Sequence, residues 1–111
     1  GAVIYSENIK AILDNSSISD SWTGLFRLEH RTDAEHNEFL QLKIELSIGV
    51  EASSELENSF LEIITVGLEE QNTDYRALRK VIGDKALLEI QLYLYQDAEI
   101  IQGDTVKHRY V

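Results

Sequence analysis

Two stretches of this sequence alternate strictly between apolar and polar residues, and each predicts a β-strand. The first carries an aliphatic side chain at every second position, namely Leu40, Leu42, Ile44, Leu46 and Ile48. The second does so at Leu88, Ile90, Leu92 and Leu94. A period of two residues places each aliphatic set on one face of a sheet and the intervening side chains on the other.

A third strand is predicted ahead of these two. Phe26, Leu28 and His30 alternate with Arg27 and Glu29, as in a half-buried strand. The polar segment 32–37 follows and is expected to be an exposed turn. The strands on either side of it would then pair as an antiparallel hairpin.

Helical spacing of apolar residues predicts helices on both sides of the hairpin. Ser6 is expected to cap a first helix that runs to about Asp14. Ser54 and Glu57 have the spacing of a capping box at the start of a longer helix. Its inward stripe is Leu56, Phe60, Ile63, Ile64 and Leu68, and Gly67 lies within it, which suggests close packing on the sheet. A further turn or two is expected from Thr73 or Asp74, ending at Gly83.

The order of these elements predicts an α+β fold of the ferredoxin-like split βαβ type. The sheet would have three to four strands in mixed orientation, with two main helices on one face and the last strand parallel to the 38–48 strand. A short strand is expected at the N-terminus, and a small extra strand at Glu99–Ile101. The other sheet face would carry Lys43, Glu45, Glu89, Tyr93 and Tyr95 and be free for solvent or a partner. Residues 1–111 are expected to form one domain.

Composition narrows the class of protein. The net charge of −10 disfavours nucleic acid or an anionic membrane as a partner. No run of about 18 apolar residues occurs that could cross a membrane. The chain contains no cysteine and shows no signal-peptide pattern, which is typical of a cytoplasmic protein.

The sequence offers few catalytic patterns. No serine lies in a nucleophile elbow, and no nucleotide-binding glycine motif occurs. His30, His36 and His108 lack metal-ligand spacing, so no metal site is expected. The paired carboxylates are interpreted as parts of solvent-exposed faces and not as acid/base pairs.

The C-terminal segment is the main candidate for chemistry. Residues 1–106 carry eight Lys/Arg and twenty Asp/Glu, whereas Lys107 and Arg109 follow without an acid. A Gly103 turn ahead of Lys107, His108 and Arg109 would present a mobile cation able to contact a phosphate or an acidic partner. The alternative is a disordered end with two solvated charges.

Both ends of the chain together resemble the C-terminal domain of adenylate-forming enzymes of the phenylacetate–CoA ligase and capsule-biosynthesis-related type. That family begins this domain with Gly-x-x-[Ile/Val]-[Phe/Tyr]-Pro-x-x-[Ile/Val], and Gly1, Ile4, Tyr5 and Ile9 are in register with it. Ser6 stands where the family has proline. The family ends the domain in a Gly-Lys-led basic segment with a further arginine, whereas Asp104-Thr105-Val106 separate Gly103 from Lys107 here.

The resemblance implies a mobile C-terminal lid, inactive and without a bound cofactor by itself. The parent enzyme would use ATP with magnesium to convert a carboxylic acid to an acyl-adenylate and then transfer the acyl group to a thiol such as coenzyme A. It implies that Lys107 is the catalytic lysine and that Gly103, His108 and Arg109 contact phosphate or the partner. Gly1 and Tyr5 would lie near the hinge to a large N-terminal ATP-binding domain of the same polypeptide.

Two other functions are compatible with the same fold. A ferredoxin-like regulatory or ligand-sensing module would dimerise through its sheet and bind a small molecule alone. An adaptor would use the face with Tyr93 and Tyr95 to bind a protein partner, although β-propensity also explains these tyrosines.

Overall fold

A computed structural model describes residues 4–97 of the chain. The elements in chain order are helix α1, strands β1 and β2, helices α2 and α3, and strand β3. Their bounds are α1 Ser6–Asp14, β1 Trp22–Thr32, β2 Glu38–Leu46, α2 Ser54–Gln71, α3 Thr73–Ile82 and β3 Glu89–Tyr93. Short 3₁₀ turns at Ser19–Ser21 and Gly83–Ala86 lead into β1 and toward β3. The predicted α+β fold of split βαβ type is confirmed.

The three strands form one mixed sheet in the order β1-β2-β3. β1 and β2 are antiparallel, and Phe26 lies opposite Ile44. β2 and β3 are parallel, and Leu42 lies opposite Ile90. The predicted hairpin and the predicted parallel last strand are therefore both present.

The helices pack on the aliphatic face of this sheet. Its inward side chains and those of the helices form one buried cluster: Ile9, Ile12, Leu13, Trp22, Phe26, Leu42, Ile44, Leu46, Phe60, Ile64, Leu68, Tyr75, Ala86, Leu88 and Ile90. The period-two and helical patterns in the sequence correctly predict most of this core.

The strands end earlier than the alternating pattern predicts. Ile48 lies beyond β2 and is 78% exposed, because the chain turns where the Val50 N–H donates to the Ser47 carbonyl. Leu94 and Tyr95 lie beyond β3 in a turn closed by the hydrogen bond from the Asp97 N–H to the Leu94 carbonyl. The assignment of Ile48 and Leu94 to the buried face is wrong.

The predicted helix starts are displaced by one residue. Ser53, not Ser54, caps α2, since its Oγ accepts from the Leu56 N–H at 3.0 Å. Tyr5, not Ser6, precedes the first residue of α1. Ile4 and Tyr5 lie outside any strand, and the rest of the expected N-terminal strand falls outside the described residues, as does the one at 99–101.

The helical connection between β2 and β3 breaks into two helices at Asn72. The Asn72 Oδ1 accepts from the Tyr75 N–H at 2.9 Å and starts α3, which is longer than the turn or two expected. Gly83 ends α3 with φ +61°, as predicted.

Gly67 allows two helices to approach closely. A Cβ atom at this position would lie 2.6–2.8 Å from the Ile12 side chain of α1. The close packing expected at Gly67 is therefore against α1 and not against the sheet.

Candidate functional site

Most residues predicted to carry function lie outside the described range 4–97. They are Gly1, Gly103, Lys107, His108 and Arg109. The roles of these five residues stay predictions. Tyr5 is the one predicted site residue whose surroundings can be described.

Tyr5 is the last residue before α1, and its backbone is fixed there by Asn8. The Tyr5 N–H donates to the Asn8 Oδ1 at 3.1 Å, and the Asn8 N–H donates to the Tyr5 carbonyl at 2.9 Å. The Tyr5 side chain is 58% exposed. The predicted place of Tyr5 near a hinge stays a prediction.

The strongest concentration of charged groups lies on the sheet face opposite the helices, here called the polar sheet face. Its side chains alternate with the buried aliphatic residues of the strands: Arg27, Glu29, Gln41, Lys43, Glu45, Glu89, Gln91 and Tyr93. Arg27 faces Lys43 across the β1–β2 ladder. The two-residue period of each strand therefore places these side chains together on one face.

Glu29 is the centre of an ionic network on the polar sheet face. Its carboxylate accepts a hydrogen bond from Arg27, and its Oε1 lies 3.0 Å from the Arg31 Nη1. The Lys43 Nζ lies 3.4 Å from its other oxygen. Three cations from two strands therefore share one carboxylate, and the contact with Lys43 joins β2 to β1.

The charge of Glu29 is stabilised in the folded state. Burial alone would raise the pKa of Glu29, but hydrogen bonds from Arg27 and Arg31 and the positive charges of Lys43 and Arg27 outweigh burial. The pKa of Glu29 is consequently below its ordinary value. Glu29 is an ionised structural partner and not a proton donor at neutral pH.

A second chain of polar contacts links β2 to β3. The Gln41 Nε2 donates to the Glu89 Oε1 at 2.6 Å, and the Tyr93 hydroxyl donates to the Gln91 Oε1 at 3.0 Å. The Lys43 Nζ lies 6.0 Å from the centre of the Tyr93 ring. These contacts fix the Tyr93 ring on this face, whereas Tyr95 lies beyond the strand and is 44% exposed.

The polar sheet face is less open than expected. Arg27 is only 2% exposed, and Gln41 and Glu45 are each 5% exposed. The prediction that this face is free for solvent is therefore wrong for its central residues, because charged and amide side chains pack over one another there.

Glu45 holds the segment that follows β3. Its Oε1 accepts from the Thr23 hydroxyl at 2.6 Å, and its Oε2 accepts from the Gln96 N–H at 2.8 Å. Gln96 has a positive φ of 62°. A buried carboxylate thus fixes the backbone just before residues 98–111, the segment that contains the predicted cationic site.

The described histidines do not converge on a common site. The His30 Nε2 lies 3.1 Å from the Glu38 Oε1, and His36 lies in the hairpin turn with φ +66°. Within residues 4–97, no group of three or more His, Asp or Glu side chains is arranged to hold a metal ion. None of the helices in the same range is both long and apolar enough to span a membrane.

Sequence patterns could have indicated part of this arrangement. The alternation of Arg27 and Glu29 with apolar residues predicts that they share a face, and Lys43 falls on the same face once the hairpin is assumed. The contact between Glu45 and the Gln96 backbone has no such signal, since it joins a strand to a distant turn.

The arrangement of the strands and helices is similar to that of a known ligase domain. A crystal structure of a domain of phenylacetate-coenzyme A ligase from Bacteroides vulgatus aligns with 86% of this chain and 76% of its own chain, with a TM-score of 0.56 and 17% sequence identity. The two share a fold. No protein-family model matches the sequence, and no curated protein does. At this identity the likeness concerns the fold alone.

Proposed function

We propose that this chain acts as the mobile C-terminal domain of an adenylate-forming acyl ligase. The observation that carries the proposal is the fold shared with a phenylacetate-coenzyme A ligase domain. The match of Gly1, Ile4, Tyr5 and Ile9 to the family's opening pattern supports it independently. The large ATP-binding domain of the same polypeptide would be its partner.

The proposed reaction has two steps. A carboxylate oxygen first attacks the α-phosphorus of ATP, which forms an acyl-adenylate and releases pyrophosphate. A thiol such as coenzyme A then attacks the acyl carbon and releases AMP. ATP, magnesium and the thiol are assigned to the large domain, and this chain contributes a closing surface.

Lys107 is the proposed catalytic residue of the first step. Its ammonium would stabilise the negative charge on the carboxylate and phosphate oxygens when the domain closes. Gly103 would supply the turn that positions it, and His108 and Arg109 would contact phosphate or the large domain. Gly1 and Tyr5 would lie beside the hinge.

The decisive experiment compares both half-reactions in the full-length polypeptide. Lys107→Ala is expected to slow adenylation, measured by pyrophosphate exchange, by about a hundredfold. Transfer from preformed acyl-adenylate to the thiol should change far less. Lys80→Ala, an exposed lysine on α3, is the matched control and should leave both steps unchanged.

Two results would contradict the proposal. Equal losses in both half-reactions would remove the special role of Lys107 in adenylation. A coding sequence without a large domain containing a Gly/Ser/Thr-rich phosphate loop upstream of Gly1 would remove the ligase assignment altogether.

A further inference from the structure

A β-bulge in strand β1 lies opposite Glu45 of β2. Three residues of β1 separate Trp22 from Phe26, whereas Glu45 alone separates their two partners on β2. Gly24, in the middle of the bulge, has φ +98°, a conformation that glycine adopts readily. Bulges change the direction in which side chains point, and the Thr23 hydroxyl of this one donates to the Glu45 Oε1 at 2.6 Å. The bulge therefore supplies Glu45 with one hydrogen-bond donor.

A second donor to Glu45 comes from beyond β3, where the backbone is again irregular. The Gln96 N–H donates to the Glu45 Oε2 at 2.8 Å. Gln96 has φ +62°, in the left-handed region that residues other than glycine seldom adopt. Such conformations persist where surrounding contacts hold them, and they are concentrated at functional sites. Here the bond to Glu45 and the turn bond from the Asp97 N–H to the Leu94 carbonyl hold the backbone.

Glu45 is a buried carboxylate with neutral hydrogen-bond donors. It is 5% exposed, and within residues 4–97 it forms no ion pair with a lysine, arginine or histidine. Burying a carboxylate costs free energy, but a charged acceptor forms stronger hydrogen bonds than a neutral one. Its two oxygens serve one donor each, so a single side chain of the central strand connects β1 to the backbone that follows β3.

We propose that Glu45 is a positioning residue for the segment 98–111. By holding Gln96 to β2, it fixes the point and the direction from which this segment continues. The catalytic consequence rests on the proposed function: Lys107 would approach the nucleotide from a defined starting point, and release of Gln96 would make a productive approach less frequent.

Amide hydrogen exchange in the isotopically labelled chain tests the anchor by itself. Glu45→Ala removes both acceptor oxygens, so the Gln96 amide is expected to exchange about tenfold faster. Glu45→Gln keeps the shape and one acceptor oxygen but loses the charge, so about threefold faster exchange is expected. This second variant decides the question if the alanine variant does not fold.

Glu29→Ala is the matched control for Glu45→Ala. It removes a carboxylate from the same sheet face, but the Glu29 carboxylate is bound by Arg27, Arg31 and Lys43 and not by Gln96. Exchange at Gln96 should therefore stay unchanged in this control. Unchanged exchange in both Glu45 variants, or equal acceleration in the two alanine variants, would overturn the proposal.

The two half-reactions of the full-length polypeptide test the positioning role. Glu45→Ala is expected to lower kcat for adenylation about tenfold while leaving KM for ATP and the transfer to the thiol unchanged. Equal losses in both half-reactions, or the same loss in Glu29→Ala, would show a general structural effect and overturn the role. If Lys107→Ala leaves adenylation unchanged, the proposed function fails instead, and exchange at Gln96 still decides whether Glu45 anchors the segment.

Discussion

At the scale of single residues, Glu29 has the largest number of ionic partners on the polar sheet face. Arg27 and Lys43 are 2% and 15% exposed at their side chains, so both rely on a nearby negative charge. A buried cation without an anion is costly, since the protein interior solvates charge poorly. Glu29 therefore contributes to stability through the cations that it compensates.

Glu29→Gln is expected to lower the free energy of unfolding by about 2 kcal/mol at neutral pH. Glutamine retains one acceptor oxygen but removes the charge that Arg27 and Lys43 require. Because folding lowers the pKa of Glu29, its contribution is complete above the ordinary value of 4.5 and is lost as the pH falls through the lower folded value. Urea unfolding at neutral and acidic pH should show the difference between the proteins shrinking in acid.

The control for this substitution is Glu35→Gln in the exposed hairpin turn. The Glu35 side chain makes no hydrogen bond or ion pair within residues 4–97, so its loss should change stability by less than about 0.5 kcal/mol. Equal effects of the two substitutions would show that the Glu29 network is energetically neutral.

At the scale of elements, the existence and type of each helix and strand within residues 4–97 followed from periodicity, whereas their ends did not. The alternating pattern that runs to Ile48 predicts a strand longer than the one observed. β2 ends at Leu46 because Leu46 lies opposite Trp22, the first residue of β1. Likewise Ser53 and Ser54 are equally good caps by composition. The last residue of a strand and the capping residue of a helix depend on tertiary contacts, which the local sequence does not specify.

Gly67→Ala is expected to destabilise the contact between α1 and α2. Alanine favours the helix by about 1 kcal/mol, but its Cβ would lie 2.6–2.8 Å from the branched Ile12 side chain. A β-branched side chain in a helix has few other rotamers, so overpacking should prevail, with a net loss of about 1 kcal/mol. Thermal or urea unfolding measures this loss.

A double-mutant cycle separates this clash from other effects. In the Ile12→Ala background the added methyl has space, so Gly67→Ala should become neutral or stabilising. An identical loss in both backgrounds would mean that Ile12 does not determine the requirement for glycine.

At the scale of the whole molecule, the sequence predicted the split βαβ arrangement but only part of the candidate site. The alternating strands specify which residues share the polar sheet face. They do not specify that Arg27, Gln41 and Glu45 become buried there, because burial depends on how neighbouring side chains cover one another. The proposed Lys107 site would depend on the proposed neighbouring domain, which no pattern within this chain can describe.

The isolated chain is expected to be a monomer in solution. The lid of the proposed function would be complementary to a different domain and not to itself, and a net charge of −10 opposes self-association. Light scattering coupled to size exclusion at physiological salt measures the mass directly. A stable dimer that tightens with a small ligand would instead favour the ligand-sensing module.

The hydrogen bond from the Gln96 N–H to the Glu45 carboxylate fixes one point of the backbone, and the number of intervening residues limits how far any later residue can lie from that point. An extended chain advances at most about 3.6 Å per residue, so Lys107 must lie within a sphere of roughly 40 Å radius around Gln96. Any nucleotide on which Lys107 acts has to enter that sphere. Inserting residues between Asp97 and Gly103 would enlarge that sphere.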